Sequence, residues 1–154
     1  MGKSNTKKRG NEQYVPMPYT ILKSAAWRSL SGAAVKVWFE LHSRFHGGNN
    51  GKLTLSLNEA THALGIGKGT AQRAFQELAE KGFIALEVQG SWYHRKASEW
   101  RLTTKPMQTV KGKVAATNDW RNWRPPKTKR GTDTDPSASL VVLFENPMRV
   151  AGSK

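Results

Sequence analysis

The sequence predicts an α+β fold, a three-helix core with a small antiparallel β element, flanked by basic tails without regular structure. Three observations carry that expectation. Apolar residues recur at helical spacing in three successive segments between residues 31 and 81. Two short runs with strand-forming residues, FIALEVQ and ASEWRLT, follow and are separated by a polar stretch. Outside residues 15–103 the chain is polar and basic, with no sustained period.

Residues 1–14 hold nothing to pack and read as a disordered basic arm. The prolines of VPMPYT favour extended backbone, and ILKSAAWRSL after them has apolar residues enough for one or two short helical turns. A longer helix starts after Leu30, because Ser31 is a good N-cap and Leu30 stands at staple spacing from Val35. Its apolar stripe is Ala34, Val37, Trp38, Leu41 and Phe45. FHGGNNG must end it in a tight, mobile connection.

KLTLS alternates and suits a short strand. In SLNEATHALG, Ser56 and Glu59 form a capping box, Leu57, Ala60 and Leu64 lie on one side, and Gly65 ends the helix. The next helix runs from about Lys68 to Lys81, buries Ala71, Phe75 and Leu78, and is stopped by Gly82. FIALEVQ and ASEWRLT then form strands joined by QGSWYHRK, an exposed hairpin tip with Gly90 as its turn residue. Residues 104–154 read as a mostly disordered basic tail with two islands, NDWRNWR and SLVVLF, each either a partner-docking peptide or a strand laid on the domain.

The 154 residues suffice for one core. The chain has no cysteine, which excludes disulfides, iron–sulfur clusters and thiolate zinc sites. No run approaches the roughly 18 apolar residues of a membrane span, so a cytoplasmic, nucleoid-associated protein with no membrane partner is expected. The 25 Lys and Arg against 11 Asp and Glu give a net charge of +14, for which a polyanion is the natural partner. Basic residues outnumber acidic ones four to one in residues 1–14, eleven to six in 15–103 and ten to four in 104–154.

The stretch LGIGKGTAQRAF sharpens that expectation. A phosphate-cradling loop needs G-x-x-x-x-G-K-[ST], but His62 stands five before Gly67 and Gly69 follows Lys68. A helix-turn-helix needs a helix, a short glycine-containing turn and a second helix with a polar, basic outer face. With Ala71, Phe75 and Leu78 inward, that face is Lys68, Gly69, Thr70, Gln72, Arg73 and Gln76. Arg and Lys can donate to guanine O6 and N7, Gln can pair with adenine, and Thr can meet a thymine methyl or a phosphate. The same face would also serve an ordinary solvated amphipathic helix.

From LSLNEATHALGIGKGTAQRAFQELAEKGFIALEV to EWRLT the chain resembles the winged helix-turn-helix superfamily, through Leu64-Gly65-Ile66, Thr70, Arg73, Leu78 and Gly82-Phe83-Ile84. The upstream VPMPYTILKSAAWRSLSGAAVKVWFEL is similar to the lead-in of DNA-binding domains of phage, plasmid and other mobile-element proteins. Together these cover about residues 15–103. The resemblance implies a recognition helix at Lys68–Lys81 in the major groove and a wing at Gly90–Ala97 near the minor groove or backbone. In the wing, Arg95 and Lys96 can enter a groove or hold phosphate, while at least one of Trp92 and Tyr93 packs back on the domain. Gly67-Lys68-Gly69 departs from the pattern of relatives, and the extra glycine costs about 1 kcal/mol of helix propensity.

His42 and His46 have metal-ligand spacing but no third ligand nearby, and neither a nucleophile–histidine set nor an acidic cluster can be assembled. No metal, no cofactor and no enzymatic activity are therefore expected. Trp120, Arg121, Trp123 and Arg124 interleave aromatic and cationic groups, which suits nucleic acid or a protein partner equally. The expected function is sequence-specific binding of double-stranded DNA in transcriptional regulation, and a homodimer is compatible with it. The alternatives are a replication or excision accessory factor of a mobile element, and a protein-interaction module acting through the tail.

Overall fold

The computed structural model describes residues 14–91 and 93–126. The arm up to Gln13, Trp92 and the island Leu140–Phe144 lie outside the described residues. The elements follow one another as α1 (Tyr19–Leu22), α2 (Ala25–Arg28), α3 (Gly32–Ser43), β1 (Leu53–Thr54), α4 (Leu57–Leu64), α5 (Lys68–Glu80), β2 (Ile84–Val88), β3 (Glu99–Leu102), β4 (Met107–Thr109), β5 (Gly112–Val114) and a 3-10 turn at Asp119–Arg121. The fold is mixed α+β. No helix among the described residues is long and apolar enough to cross a membrane.

The two one-turn helices are joined by Ser24, whose hydroxyl donates to the Ile21 carbonyl and accepts from the Trp27 N–H. Ile21 and Ala26 are thereby held in the core. Ser31 caps α3, and Ala34, Val37, Trp38, Leu41 and His42 form its buried side. Phe45, expected on that stripe, lies beyond the end of the helix and packs half-buried against the core.

Ala34 occupies the position from which a capping-box glutamate would reach back to the Ser31 N–H. Glu77 of α5 takes that part instead, accepting from Ser31 N at 2.9 Å and from the Ser31 hydroxyl at 2.6 Å. Lys81, one turn further along α5, bonds both Glu77 at 2.7 Å and the Ser29 carbonyl at 2.6 Å. Packing of α3 on α5 is thus locked at one end by charge-assisted bonds.

β1, β3 and β2 form an antiparallel sheet in that order, with Leu53 and Leu86 flanking Trp100, and Ile84 opposite Leu102. Trp100 stacks on Phe75 of α5 at 5.1 Å between ring centroids, which seats the sheet on the helix. A bulge at Glu87 separates the pairs Leu86–Trp100 and Val88–Glu99. The Asn49–Asn50 segment is not a loose connection. Asn50 is buried, its carboxamide accepting from the Leu102 N–H at 2.7 Å and donating to the carbonyls of Leu102, Lys105 and Pro106.

Regular structure also continues past Thr103, where a mostly disordered tail with two islands was expected. β4 and β5 pair as an antiparallel hairpin, and the 3-10 turn lays Trp120 over Phe83 with the rings 3° from parallel at 6.2 Å. Trp120 is only 5% exposed. Buried Thr103 donates to the Gly82 carbonyl at 2.7 Å, and its own carbonyl accepts from Asn118 N at 2.9 Å. Gly82 is required twice over: its φ is +74°, and a Cβ there would stand 2.8 Å from Trp120 N. Burial of an indole is worth several kcal/mol, enough to order a segment whose own residues have no periodicity.

Candidate nucleic-acid interface

Helix α4 begins with a reciprocal capping box. The Ser56 hydroxyl accepts from Glu59 N at 3.2 Å, and the Glu59 carboxylate accepts from Ser56 N at 2.8 Å. Its far end is closed by Gly65 in the left-handed conformation, and only Gly65, Ile66 and Gly67 separate it from α5. Ile66 between the two helices is half-buried against the core.

α5 divides cleanly. Ala71, Ala74, Phe75 and Leu78 are buried, while Lys68, Gly69, Gln72, Arg73 and Gln76 are exposed and Thr70 is half-buried. Among the described residues Lys68, Gln72, Arg73 and Gln76 have no side-chain partner, in contrast to Arg44 and Arg101, each paired with a glutamate. Gly67 caps α5 without a side-chain bond, so the first N–H groups and the positive end of the helix dipole face outward unanswered. Gly69 has no structural reason to be glycine, since a Cβ there would meet nothing within 4 Å.

The β2–β3 connection is a hairpin closed by reciprocal backbone bonds between Ser91 and Lys96 at 2.9 and 3.0 Å. Its turn lies at Tyr93–Arg95, and the left-handed residue there is Arg95, with φ 52°. Gly90, expected to make this turn, instead lets the two arms of the hairpin approach: a Cβ would fall 2.6 Å from Ser98 N and 2.7 Å from the Lys96 carbonyl oxygen. Tyr93 does not pack back on the domain and is 90% exposed. Arg95 is exposed, and Lys96 makes a surface pair with Glu99 at 3.2 Å.

Between this tip and the first turn of α4 runs an open cleft of about 700 Å³, walled by Ser56, Asn58 and Glu59 on one side and Tyr93, Arg95 and Lys96 on the other. The Ser56 N–H, followed by the Ser56 side chain, holds the Glu59 carboxyl below the usual carboxylate range, against a partial burial that raises it, and Arg44 lowers it further. Asn58 carries no signal in the sequence, and nothing there sets Tyr93 of the wing opposite it, because only the tertiary fold brings α4 and the hairpin tip together.

The Trp/Arg island lies elsewhere. Trp120 is in the core and Trp123 packs half-buried against it, with the Lys81 ammonium 5.4 Å above its ring, so neither indole offers a free stacking platform. Arg121 sits 5.3 Å over Trp120, and Arg124 donates to the carbonyls of Arg121 and Trp123. Both arginines remain exposed. This group flanks the C-terminal end of α5, about 20 Å of helix away from Lys68.

No family model, curated protein or solved structure matches the chain.

No three His, Asp or Glu side chains gather as a metal site among the described residues. His42 is instead a core residue. Its Nδ1 donates to the Trp38 carbonyl at 3.1 Å, which leaves Nε2 to accept from the Thr104 hydroxyl at 3.2 Å.

Proposed function

We propose that the protein is a sequence-specific double-stranded DNA-binding protein of the winged helix-turn-helix type, acting in transcriptional regulation. In this reading α5 enters the major groove with Lys68, Thr70, Gln72, Arg73 and Gln76 toward base edges and phosphates. The β2–β3 hairpin is the wing, and it brings Arg95 and Lys96 to the backbone or the adjacent minor groove. The order of elements and the three-residue turn between α4 and α5 support the reading.

The observation that carries it is the outer face of α5, polar and cationic and without intramolecular partners among the described residues. Side chains that only solubilise a helix need no glycine among them. Gly69, unused by the fold, fits a surface against which another molecule comes close.

The test is selection of bound fragments from a genomic library by the full chain, followed by competition against random duplex at fixed salt. A specific regulator retains its selected fragments against an excess of competitor, by a factor of about 10³ or more. Equal displacement by every sequence would leave only nonspecific polyanion binding.

A further inference from the structure

The cleft between α4 and the hairpin tip has a chemistry that a fully paired duplex does not use. Tyr93 is 90% exposed and lies in the cleft wall beside Arg95, which has no acidic partner among the described residues, and Lys96, whose pair with Glu99 is at the surface. In a duplex both faces of every base are covered by stacked neighbours, and the grooves present only edges. An exposed aromatic ring beside two cations is matched by an unpaired nucleotide, whose base stacks on the ring while its phosphate meets the cations.

The remaining walls agree with such an occupant. Asn58 is exposed and offers both a donor and an acceptor to a base edge. Glu59 would repel phosphate if its charge were uncompensated, but it already accepts from Ser56 N and is paired with Arg44 at 3.5 Å. At about 700 Å³ the cleft lies within the roughly 300 to 1,000 Å³ typical of small-ligand sites. Its openness and the lack of a glycine-rich phosphate cradle favour a continuous strand over a free nucleotide.

We infer that this cleft binds an unpaired stretch of nucleic-acid strand, with a base stacked on Tyr93 and the adjoining phosphates on Arg95 and Lys96. The inference rests on the duplex reading of α5, which anchors the same molecule. It makes the protein prefer duplex carrying an unpaired extension or opened segment.

The experiment is a fluorescence-anisotropy titration of the full chain with two labelled probes: a paired duplex, and the same duplex carrying a single-stranded extension of about ten nucleotides. Wild type is compared with Tyr93→Ala and Tyr93→Phe, whose folding is checked by thermal melting. The extended probe is expected to bind about 10-fold tighter than the paired one. Tyr93→Ala removes that preference and Tyr93→Phe keeps it, each read as the ratio of the affinities of that variant for the two probes. Equal affinity of wild type for both probes overturns the inference and leaves the duplex reading intact. A preference that survives Tyr93→Ala overturns the assignment to this cleft. Binding of neither probe overturns both readings.

Discussion

Glu77 caps a helix other than its own: its carboxylate takes both the N–H and the hydroxyl proton of Ser31, 46 residues earlier in the chain. The helix that presents the candidate DNA-binding face is thereby fastened to the N-terminus of α3. Removing the carboxylate leaves the Ser31 N–H without its acceptor and Lys81 without its anion. Glu77→Ala should therefore cost about 1 to 2 kcal/mol in urea denaturation, the magnitude of a lost cap. Burial alone would raise the Glu77 pKa, but the bonds from Lys81 and Ser31 outweigh it and hold the group below the usual carboxylate range. Its contribution is thus present above the ordinary carboxylate pKa and is lost as pH falls below it.

Trp120 belongs to the core through its stack on Phe83. Trp120→Ala should destabilise the protein by about 3 to 5 kcal/mol, as loss of a buried indole does. Chemical denaturation followed by circular dichroism measures this. A cost below 1 kcal/mol would mean that the segment after Thr103 is not integral to the domain.

Burial of His42 lowers its pKa from 6.5 to about 4, with Lys105 lowering it further and the Trp38 carbonyl acting in the opposite sense. The folded state holds the ring neutral where the unfolded chain would protonate it, so the unfolded state binds more protons below pH 6.5. Stability is full above that value and declines toward pH 4, by about 3 kcal/mol if nothing else titrated. Urea midpoints between pH 7 and pH 5 isolate the effect, because the carboxylates are still ionised there. His42→Gln should flatten the slope while lowering stability at neutral pH.

Gly69 separates folding from binding. Alanine has free space at this position and improves helix propensity, so Gly69→Ala should raise stability by as much as about 1 kcal/mol. If another backbone approaches this turn, the same change weakens duplex binding. Gain of stability with unaltered affinity would remove Gly69 from the interface.

Helices α3, α4 and α5 and strands β2 and β3 were legible because their signals are local. The caps at Ser31 and Ser56, the stripe Ala71–Phe75–Leu78 and the stop at Gly82 each lie within a few residues of what they control. What escaped was long-range. Asn50 looked like a turn residue until β3 arrived to bond it, and whether Trp120 met nucleic acid, a partner or the domain itself was open until Phe83 was beneath it. Gly90 has the same character: it is glycine because the returning arm of the hairpin crosses it. The outer face of α5 was legible residue by residue, whereas the cleft from Asn58 to Tyr93 has no sequence pattern.

The most direct test of α5 as a reader of base pairs is the affinity of Arg73→Ala, measured at one salt concentration on a selected site, on that site with each base pair changed singly, and on random duplex. Loss of a bidentate contact predicts a drop of about 5- to 150-fold on the selected site, little change on random duplex, and lost discrimination at a single base pair. The same loss on every sequence would contradict the account and reduce Arg73 to a phosphate contact.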